Sequence, residues 1–346
     1  MEDKQGLSVS GGPTTIKDVA LAAQVSIRTV SRVLNGSLKV GIETRERIEA
    51  QIERLSFHPN SRARGLASGR SYLIGVVQDD PNAHVIGVLQ RGIAEVCSTS
   101  GYELVVHPAR YDDPDIVGNI MAFVQRSKVD GLLLLPPLSE LQTVADALVN
   151  VGVSAVALAA VRTASHPSMV MSTERQAAAE LAKHLLALGH RRVAMVAGPL
   201  HFCSARERRD GFVTELRKAG VDLADEHVHE GNYGFASGVA AATTLLAQRT
   251  RPTAIFAAND IMAAAVIKVA TEQGLTLPRD LSIVGFDDSD IASMITPTLT
   301  TIRRPIEKMG AAATRQLLRL ITQEGEPNDI TFELELVVRQ SSGPPS

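Results

Sequence analysis

From Thr15 the apolar positions recur at helical spacing: Ile16, Val19, Ala20 and Ala23 fall at i, i+3, i+4 and i+7, the stripe of an amphipathic helix. Thr14 or Thr15 can cap it, and Asp18 in its first turn suits the positive end of the helix dipole. Gln24 and Val25 break the pattern, after which Ser26 caps a second helix that runs to Leu34 and stops at Asn35-Gly36. A third amphipathic stretch, near 43–55, carries Ile48, Ile52 and Leu55 and closes a three-helix unit. Residues 1–13, polar and rich in Gly and Ser, have the composition of a disordered arm.

From Tyr72 the period changes. The short apolar runs "YLIGVV", "YELVVH", "VDGLLLLPP", "VSAVALA", "RRVAMVAGP", "TAIFAAND" and "LSIVGFDD" are bounded by Gly, Pro or Asp and alternate with helical stretches such as 177–188 and 262–273. Strand-helix alternation predicts an α/β body of parallel sheets covered on both faces. The runs are too many for one compact sheet, and "GHRRVAMVAG" restarts the scheme that "GRSYLIGVVQ" opens. Two doubly wound lobes are expected, with a ligand cleft at the C-terminal ends of the strands. This pattern alone fits a binding protein, a flavodoxin-like module or a dehydrogenase. No G-x-G-x-x-G follows a strand and no P-loop occurs, which argues against nucleotide chemistry.

The tight pairing of the first two helices is a helix-turn-helix pattern. On the second helix Val30, Val33 and Leu34 share one side, while Ile27, Arg28, Ser31 and Arg32 share the other. Guanidinium groups can bond guanine O6 and N7 or phosphate, and methyl groups can meet thymine, so this face has the chemistry of a major-groove reader. A solvated helix face is the plain alternative. In "FHPNSRARGLASGRS" Pro59 ends the preceding element, Asn60 can cap, and 61–68 has room for about two helical turns, marginal in water by itself. Arg62, Arg64 and Leu66 there suit folding on a polyanion, with Leu66 as a minor-groove wedge; a flexible linker is the alternative.

Charge supports this division. Residues 1–71 hold eleven Lys and Arg against seven Asp and Glu, while the remainder holds 24 against 31, under a net charge of -3. The 346 residues, 45% apolar and 21% charged, are of ordinary globular composition, and no run approaches the length of a membrane span. The start has neither the basic nor the apolar region of a signal peptide, and Cys97 and Cys203 lack metal-site spacing, so reduced thiols in a cytoplasmic protein are expected. No cofactor or metal is expected. A sugar-processing enzyme with an accessory DNA-binding segment would need an activated nucleophile or acid/base pair, and adjacent Asp287 and Asp288 do not supply one.

The stretches "TIKDVALAAQVSIRTVSRVLNG", "TRERIEAQIERLSFHPNSRARGLASG", "ALGHRRVAMVAGP", "SARERRDGF", "AANDIMAAAVIKVATEQGLTLPRDLSIVGFDDSD" and "PTLTTIRRPIEKMG", in this order, resemble the LacI/GalR family of transcription regulators. The resemblance implies a helix-turn-helix domain with a hinge helix, and a periplasmic-binding-protein-like body in which the chain crosses between lobes three times. Expected boundaries are 14–58 for the DNA-binding domain, 59–71 for the hinge and linker, 72–340 for the effector-binding and dimerisation body, and 341–346 for a tail. Within the body the first lobe is placed near 72–162 plus 300–325 and the second near 163–299 plus 326–340.

The function so implied is that of a homodimeric DNA-binding regulator, a repressor of carbohydrate-utilisation genes acting on a palindromic operator. DNA contacts are expected at Thr15, Ser26, Ile27, Arg28, Thr29, Ser31, Arg32, Asn35, Asn60, Arg64, Leu66 and Ala67. Asp79, Arg208, Asn259 and Asp287 match the family's effector contacts, and Tyr233 in "GNYGFASG" stands where the family commonly has a cleft-lining aromatic. Phe202 and Phe286 are further platforms, and His84 is a candidate polar contact. Arg facing Asp or Asn can donate to and accept from paired hydroxyls, which suits a neutral polyol such as a mono- or oligosaccharide. A nucleobase or other metabolite is the alternative effector. The chain departs from the family at Ala83, His84 and Val85, where relatives have two aromatics after Asn-Pro, and at Ala159 and Ala160, where an Asp is common. The end, "VVRQSSGPPS", has no leucine heptad, so no coiled-coil tetramer is expected.

Overall fold

The computed structural model describes residues 14–34, 37, 39–57, 69–79, 83–164 and 166–346. The expected arm at 1–13 and the hinge positions 59–68 lie outside the described residues. The chain divides into two compact units, Met1–Ser71 and Tyr72–Ser346.

In the first unit the helices are α1 (Ile16–Ala22), α2 (Ile27–Leu34) and α3 (Ile42–Arg54). Thr15 and Asp18 start α1 together: the Thr15 N–H and hydroxyl both donate to Asp18 Oδ2, at 2.8 and 2.7 Å. Ser26 Oγ accepts from the Thr29 N–H at 3.2 Å and so starts α2. The turn between them places Gln24 in the left-handed region, φ 54°. Val19, Ala20, Ala23, Val30, Val33 and Ile48 bury their side chains together, joined by Phe57 from beyond α3.

The second unit begins with β1 (Leu73–Gln78), α4 (Ala83–Ser100), β2 (Glu103–Pro108), α5 (Ile116–Ser127), β3 (Gly131–Leu134), α6 (Gln142–Asn150), β4 (Ser154–Ala159) and β5 (Met169–Ser172). It continues through α7 (Glu174–Ala187), β6 (Val193–Ala197), α8 (Cys203–Lys218), β7 (Val228–Glu230), α9 (Phe235–Leu246), β8 (Ala254–Ala257), α10 (Asp260–Glu272), β9 (Ser282–Val284) and α11 (Asp290–Met294). The last elements are β10 (Thr301–Arg303), α12 (Ile306–Thr322), β11 (Ile330–Phe332) and β12 (Glu335–Val337).

One parallel sheet has the order β11-β5-β4-β3-β1-β2 and the other β7-β6-β8-β9; β10 and β12 pair antiparallel apart from both. The first sheet is apolar on both faces with a period of two. Ile74, Val76, Leu133 and Val156 join one buried cluster, and Val77, Leu132, Leu134, Ala155 and Ala157 the other. Helix α12 packs against α4 without room for a side chain at Gly92, where a Cβ would stand 2.0 Å from the Glu307 carbonyl oxygen. This contact brings Leu89, Ile306 and Met309 to one wall of the cleft described below.

Four boundaries differ from the sequence-based expectation. Strand β5 pairs with β4, and β11 with β5, so the first lobe runs to Ser172 and recovers 306–332. The second lobe therefore starts at the head of α7 rather than at 163, and 326–332 do not belong to it. Both strands are short, "MVMS" and "ITF" spanning four and three residues, and they belong to the first lobe by their pairing with β4 and β5. The last residues are not a free tail. Ser341 is fully buried, its N–H donating to the Thr298 carbonyl and its carbonyl accepting from Ile283, at 3.0 and 2.8 Å. No helix among the described residues is long and apolar enough to cross a membrane.

Candidate functional site

In the first unit, α2 buries Val30 and Val33 and turns Ile27, Arg28 and Arg32 to solvent. Ile27 keeps 44% of its surface exposed, and neither arginine forms an ion pair among the described residues. Thr29 and Ser31 are half-buried on the flank of this face. The hydroxyls of Thr15 and Ser26 are engaged at the helix starts, Thr15 with Asp18 and Ser26 with Thr29 at 2.8 Å. Asn35, Asn60, Arg64, Leu66 and Ala67 lie outside the described residues.

In the second unit a cavity of about 100 Å³ opens between the lobes, at the C-terminal ends of the strands. Its first-lobe wall is aliphatic, made by Val85, Ile86, Leu89, Leu135, Leu158 and Met309. The opposite wall is charged and aromatic. Arg208, on α8, is almost fully buried: its Nε donates to Glu174 Oε2 at 2.6 Å and its Nη1 to the Ala258 carbonyl at 2.5 Å. The guanidinium lies 3.9 Å from the centre of the Phe286 ring, a cation–π stack, with Nη2 3.7 Å from Asp287 Oδ1. Arg304 donates from Nη1 to Asp287 Oδ1 at 2.9 Å and brings Nη2 to 3.4 Å from Glu174 Oε1.

Burial opposes the charge on Arg208, but the nearby Glu174, and after it Tyr233 and Asp287, overcome burial and raise its pKa. Burial likewise opposes ionisation of Glu174, and Arg208 with Arg304 still holds its carboxyl below the usual range. Asp287 sits at φ 111°, in the region that favours glycine, its N–H fixed by the Ile302 carbonyl at 2.9 Å. That cost in backbone strain is met by holding the carboxylate against two arginines.

The Tyr233 ring reaches the cavity through space left by Gly198, where a Cβ would stand 2.2 Å from Tyr233 Cζ. Phe202 lies 6.3 Å from it, ring planes 26° apart. Phe202 is itself edge-on to Tyr111 at 6.0 Å. At the mouth, the Cys203 N–H donates to Glu140 Oε2 at 2.9 Å. Burial, then Glu140, pushes the Cys203 thiol up to about 11, which keeps it protonated and poorly nucleophilic.

Residues 15–60 match the bacterial regulatory proteins, lacI family, and residues 182–342 match the periplasmic binding protein-like domain. The HTH-type transcriptional regulator DegA of Bacillus subtilis (strain 168) is 32% identical over 335 residues, 96% of this chain and 98% of that one. The chain belongs to the lacI family of bacterial regulatory proteins.

The HTH-type transcriptional repressor PurR of Klebsiella pneumoniae (strain 342) is another relative, 30% identical over 94% of this chain and 96% of its own. Among solved structures, the Lac repressor dimer bound to operator and the anti-inducer ONPF superposes with a TM-score of 0.78 at 31% identity, covering 96% of this chain and 100% of that one. The CelR–cellobiose complex superposes with a TM-score of 0.71 at 30% identity, covering 95% and 99%. As a lacI-family member the protein is a DNA-binding transcription regulator, with the helix-turn-helix unit and the α/β body read from its sequence.

Within this LacI-family cleft the structure brings Phe202, Arg208, Tyr233 and Asp287 together at the cavity. It does not bring Asp79 or Asn259 to the lining. Asp79 Oδ2 accepts from the Tyr111 N–H at 2.7 Å. Asn259 caps α10, accepting from the Met262 N–H at 2.9 Å, and donates to the Tyr233 carbonyl at 2.9 Å. Both act on aromatic residues of the cleft rather than facing its space. The backbone of His84 is in α4, and its side chain lies outside the described part. Phe286 lies beneath Arg208 rather than at the cavity surface.

Sequence reasoning missed Glu174, Arg304 and Ser204, all lining the cavity. Arg304 was legible only as the second of two arginines in "TIRRP", and Glu174 as an acidic first residue of a helix, a pattern that dipole stabilisation alone accounts for. No group of His, Cys, Asp or Glu able to hold a metal occurs among the described residues.

Proposed function

We propose that the protein is a cytoplasmic, homodimeric repressor that binds a roughly palindromic operator through Ile27, Arg28 and Arg32, and whose operator affinity is set by a small neutral carbohydrate in the cleft. The observation that carries the effector reading is the combination of mutually paired charges, Arg208 and Arg304 with Glu174 and Asp287, and the face of Tyr233. Hydroxyl groups can both donate to such carboxylates and accept from such guanidiniums, and a sugar ring can lie on an aromatic face. The structural likeness to the CelR–cellobiose complex supports the same class of ligand. Two recognition helices in a dimer read two half-sites about one DNA turn apart, hence the palindrome. The ligand acts by binding one arrangement of the lobes better than the other, since equal affinity for both would shift nothing.

A purine effector is the second reading. It is favoured by the near-parallel Phe202 and Tyr233 rings, 26° apart, and by the likeness to PurR. A thermal-shift panel of hexoses, pentoses, disaccharides, nucleobases and nucleosides separates the two. A ligand at 100 times its dissociation constant stabilises by about 2.7 kcal/mol. Stabilisation by a sugar supports the first reading; stabilisation by purines alone replaces it with the second.

A further inference from the structure

Four charged side chains line the cavity, and each touches both charges of opposite sign. Glu174 meets Arg208 Nε at 2.6 Å and Arg304 Nη2 at 3.4 Å; Asp287 meets Arg304 Nη1 at 2.9 Å and Arg208 Nη2 at 3.7 Å. The result is a closed ring of alternating sign with a net charge of zero. It is shielded from water: the side chains of Glu174, Asp287, Arg208 and Arg304 are 2%, 4%, 4% and 14% exposed. Asp260 lies behind Asp287 with its oxygens taken by Thr301 and Ser289, and it does not line the cavity. Arg304 Nε is buried without a hydrogen-bond partner in the ring.

We infer that Glu174 is a specificity-determining residue of the cleft: by completing this ring it restricts the site to uncharged ligands and rejects their anionic counterparts. The inference rests on the reading that a small molecule binds in this cleft. An entering carboxylate or phosphate would add uncompensated negative charge beside Glu174 and Asp287, in surroundings that screen poorly, and would lose its own hydration. A hydroxyl donates to a carboxylate or accepts from a guanidinium N–H without that cost. Without Glu174 the same walls would hold two arginines against one carboxylate, the composition of an anion site. Nothing else at the cavity offsets the second arginine: the remaining lining is aliphatic, aromatic, prolyl or hydroxylic.

The test is calorimetric titration of the full chain and of Glu174→Gln with matched pairs: glucose and glucuronate, galactose and galacturonate, ribose and ribose 5-phosphate, adenosine and AMP. Wild type takes the neutral member of whichever pair binds, and Glu174→Gln shifts the neutral-to-anion affinity ratio toward the anion by about tenfold or more. A purely structural role for Glu174 would weaken both members in parallel and leave the ratio unchanged, which overturns the proposal. Preference of wild type for an anionic member also overturns it. Binding of adenosine over AMP, with no sugar bound, defeats the carbohydrate reading and upholds the charge rule; heat from no pair in either protein defeats both. Should Glu174→Gln not fold, Arg304→Gln supplies the opposite change. That variant leaves the ring at a net negative charge, so discrimination against the anion must rise, and an unchanged or reduced discrimination overturns the proposal.

Discussion

The Cys203 N–H donates to Glu140 Oε2 over 2.9 Å, so a carboxylate of the first lobe caps the first turn of a second-lobe helix, α8. Beside it Tyr111 of the first lobe meets Phe202 of the second, 6.0 Å between ring centres. These contacts join the lobes at the cleft mouth, next to a residue that lines the cavity. They exist only while the lobes are close, so they bias the equilibrium that a ligand must shift.

Glu140→Ala should therefore loosen the closed arrangement. Loss of a capping acceptor costs about 1 kcal/mol, or several-fold in the affinity of any ligand that binds the closed form. Titration of the stabilising ligand into wild type and variant checks this. Equal affinities would mean that the contact forms without holding the cleft.

Asp260 predicts a pH dependence. Burial, and after it the nearby Asp287, pushes its pKa from 3.8 up to about 7. An acid whose folded pKa exceeds its unfolded one keeps its proton only in the folded state across that interval. The folded state then holds the extra Asp260 proton, and this group's contribution to stability is lost as pH rises from about 4 to about 7. Glu140, raised by burial, adds to the same slope; His166, His184 and His190, each lowered by burial from 6.5, oppose it, and Glu174, lowered from 4.5, acts only at the acid edge of the interval. Asp260→Asn should remove this falling component, so that between pH 5 and pH 8 the Tm of the variant falls less, or rises more, than that of wild type. A slope identical in both proteins would remove Asp260 as its source.

Gly198→Ala would place a methyl group 2.2 Å from Tyr233 Cζ and drive that ring toward the cavity. Overpacking of this kind costs about 1–3 kcal/mol. The greater loss should fall on ligand affinity, since Tyr233 lines the cavity, while operator binding without ligand is kept. An unaltered ligand affinity would show that the Tyr233 face is not used.

For DNA, Arg28→Ala should cost about 1–3 kcal/mol and relax preference at one base position. Binding to a set of single-base operator variants measures it. Uniform weakening across all sequences would make Arg28 a phosphate contact instead.

The helices of the first unit were legible because their stripes are long and their starts are marked by Thr15, Asp18 and Ser26. The longer strands were legible as apolar runs between Gly, Pro and Asp. Strands β5 and β11 were not, although β3, β8 and β9 are as short: they join the sheet through pairing with β4 and with β5, which no local pattern announces. Ser341 reads as part of a tail because nothing local reveals that it pairs with Thr298 and Ile283. Asp79 and Asn259 have the chemistry of ligand contacts, but a backbone N–H of Tyr111 and of Met262 already occupies a side-chain oxygen of each. Glu174 and Arg304 went unnoticed for the converse reason. Each looks like a surface charge in sequence, and only the meeting of two lobe crossings buries them together.

On this account a small neutral molecule in the cleft governs operator affinity through the ring around Arg208. Fluorescence anisotropy of a labelled operator, with the full chain and the sugar and nucleoside panel present or absent, tests it most directly. At least one neutral ligand should change operator affinity in wild type, and Arg208→Met should abolish that response while retaining operator binding. A wild type whose operator affinity no panel member alters, or an Arg208→Met variant that responds as wild type does, would contradict the claim.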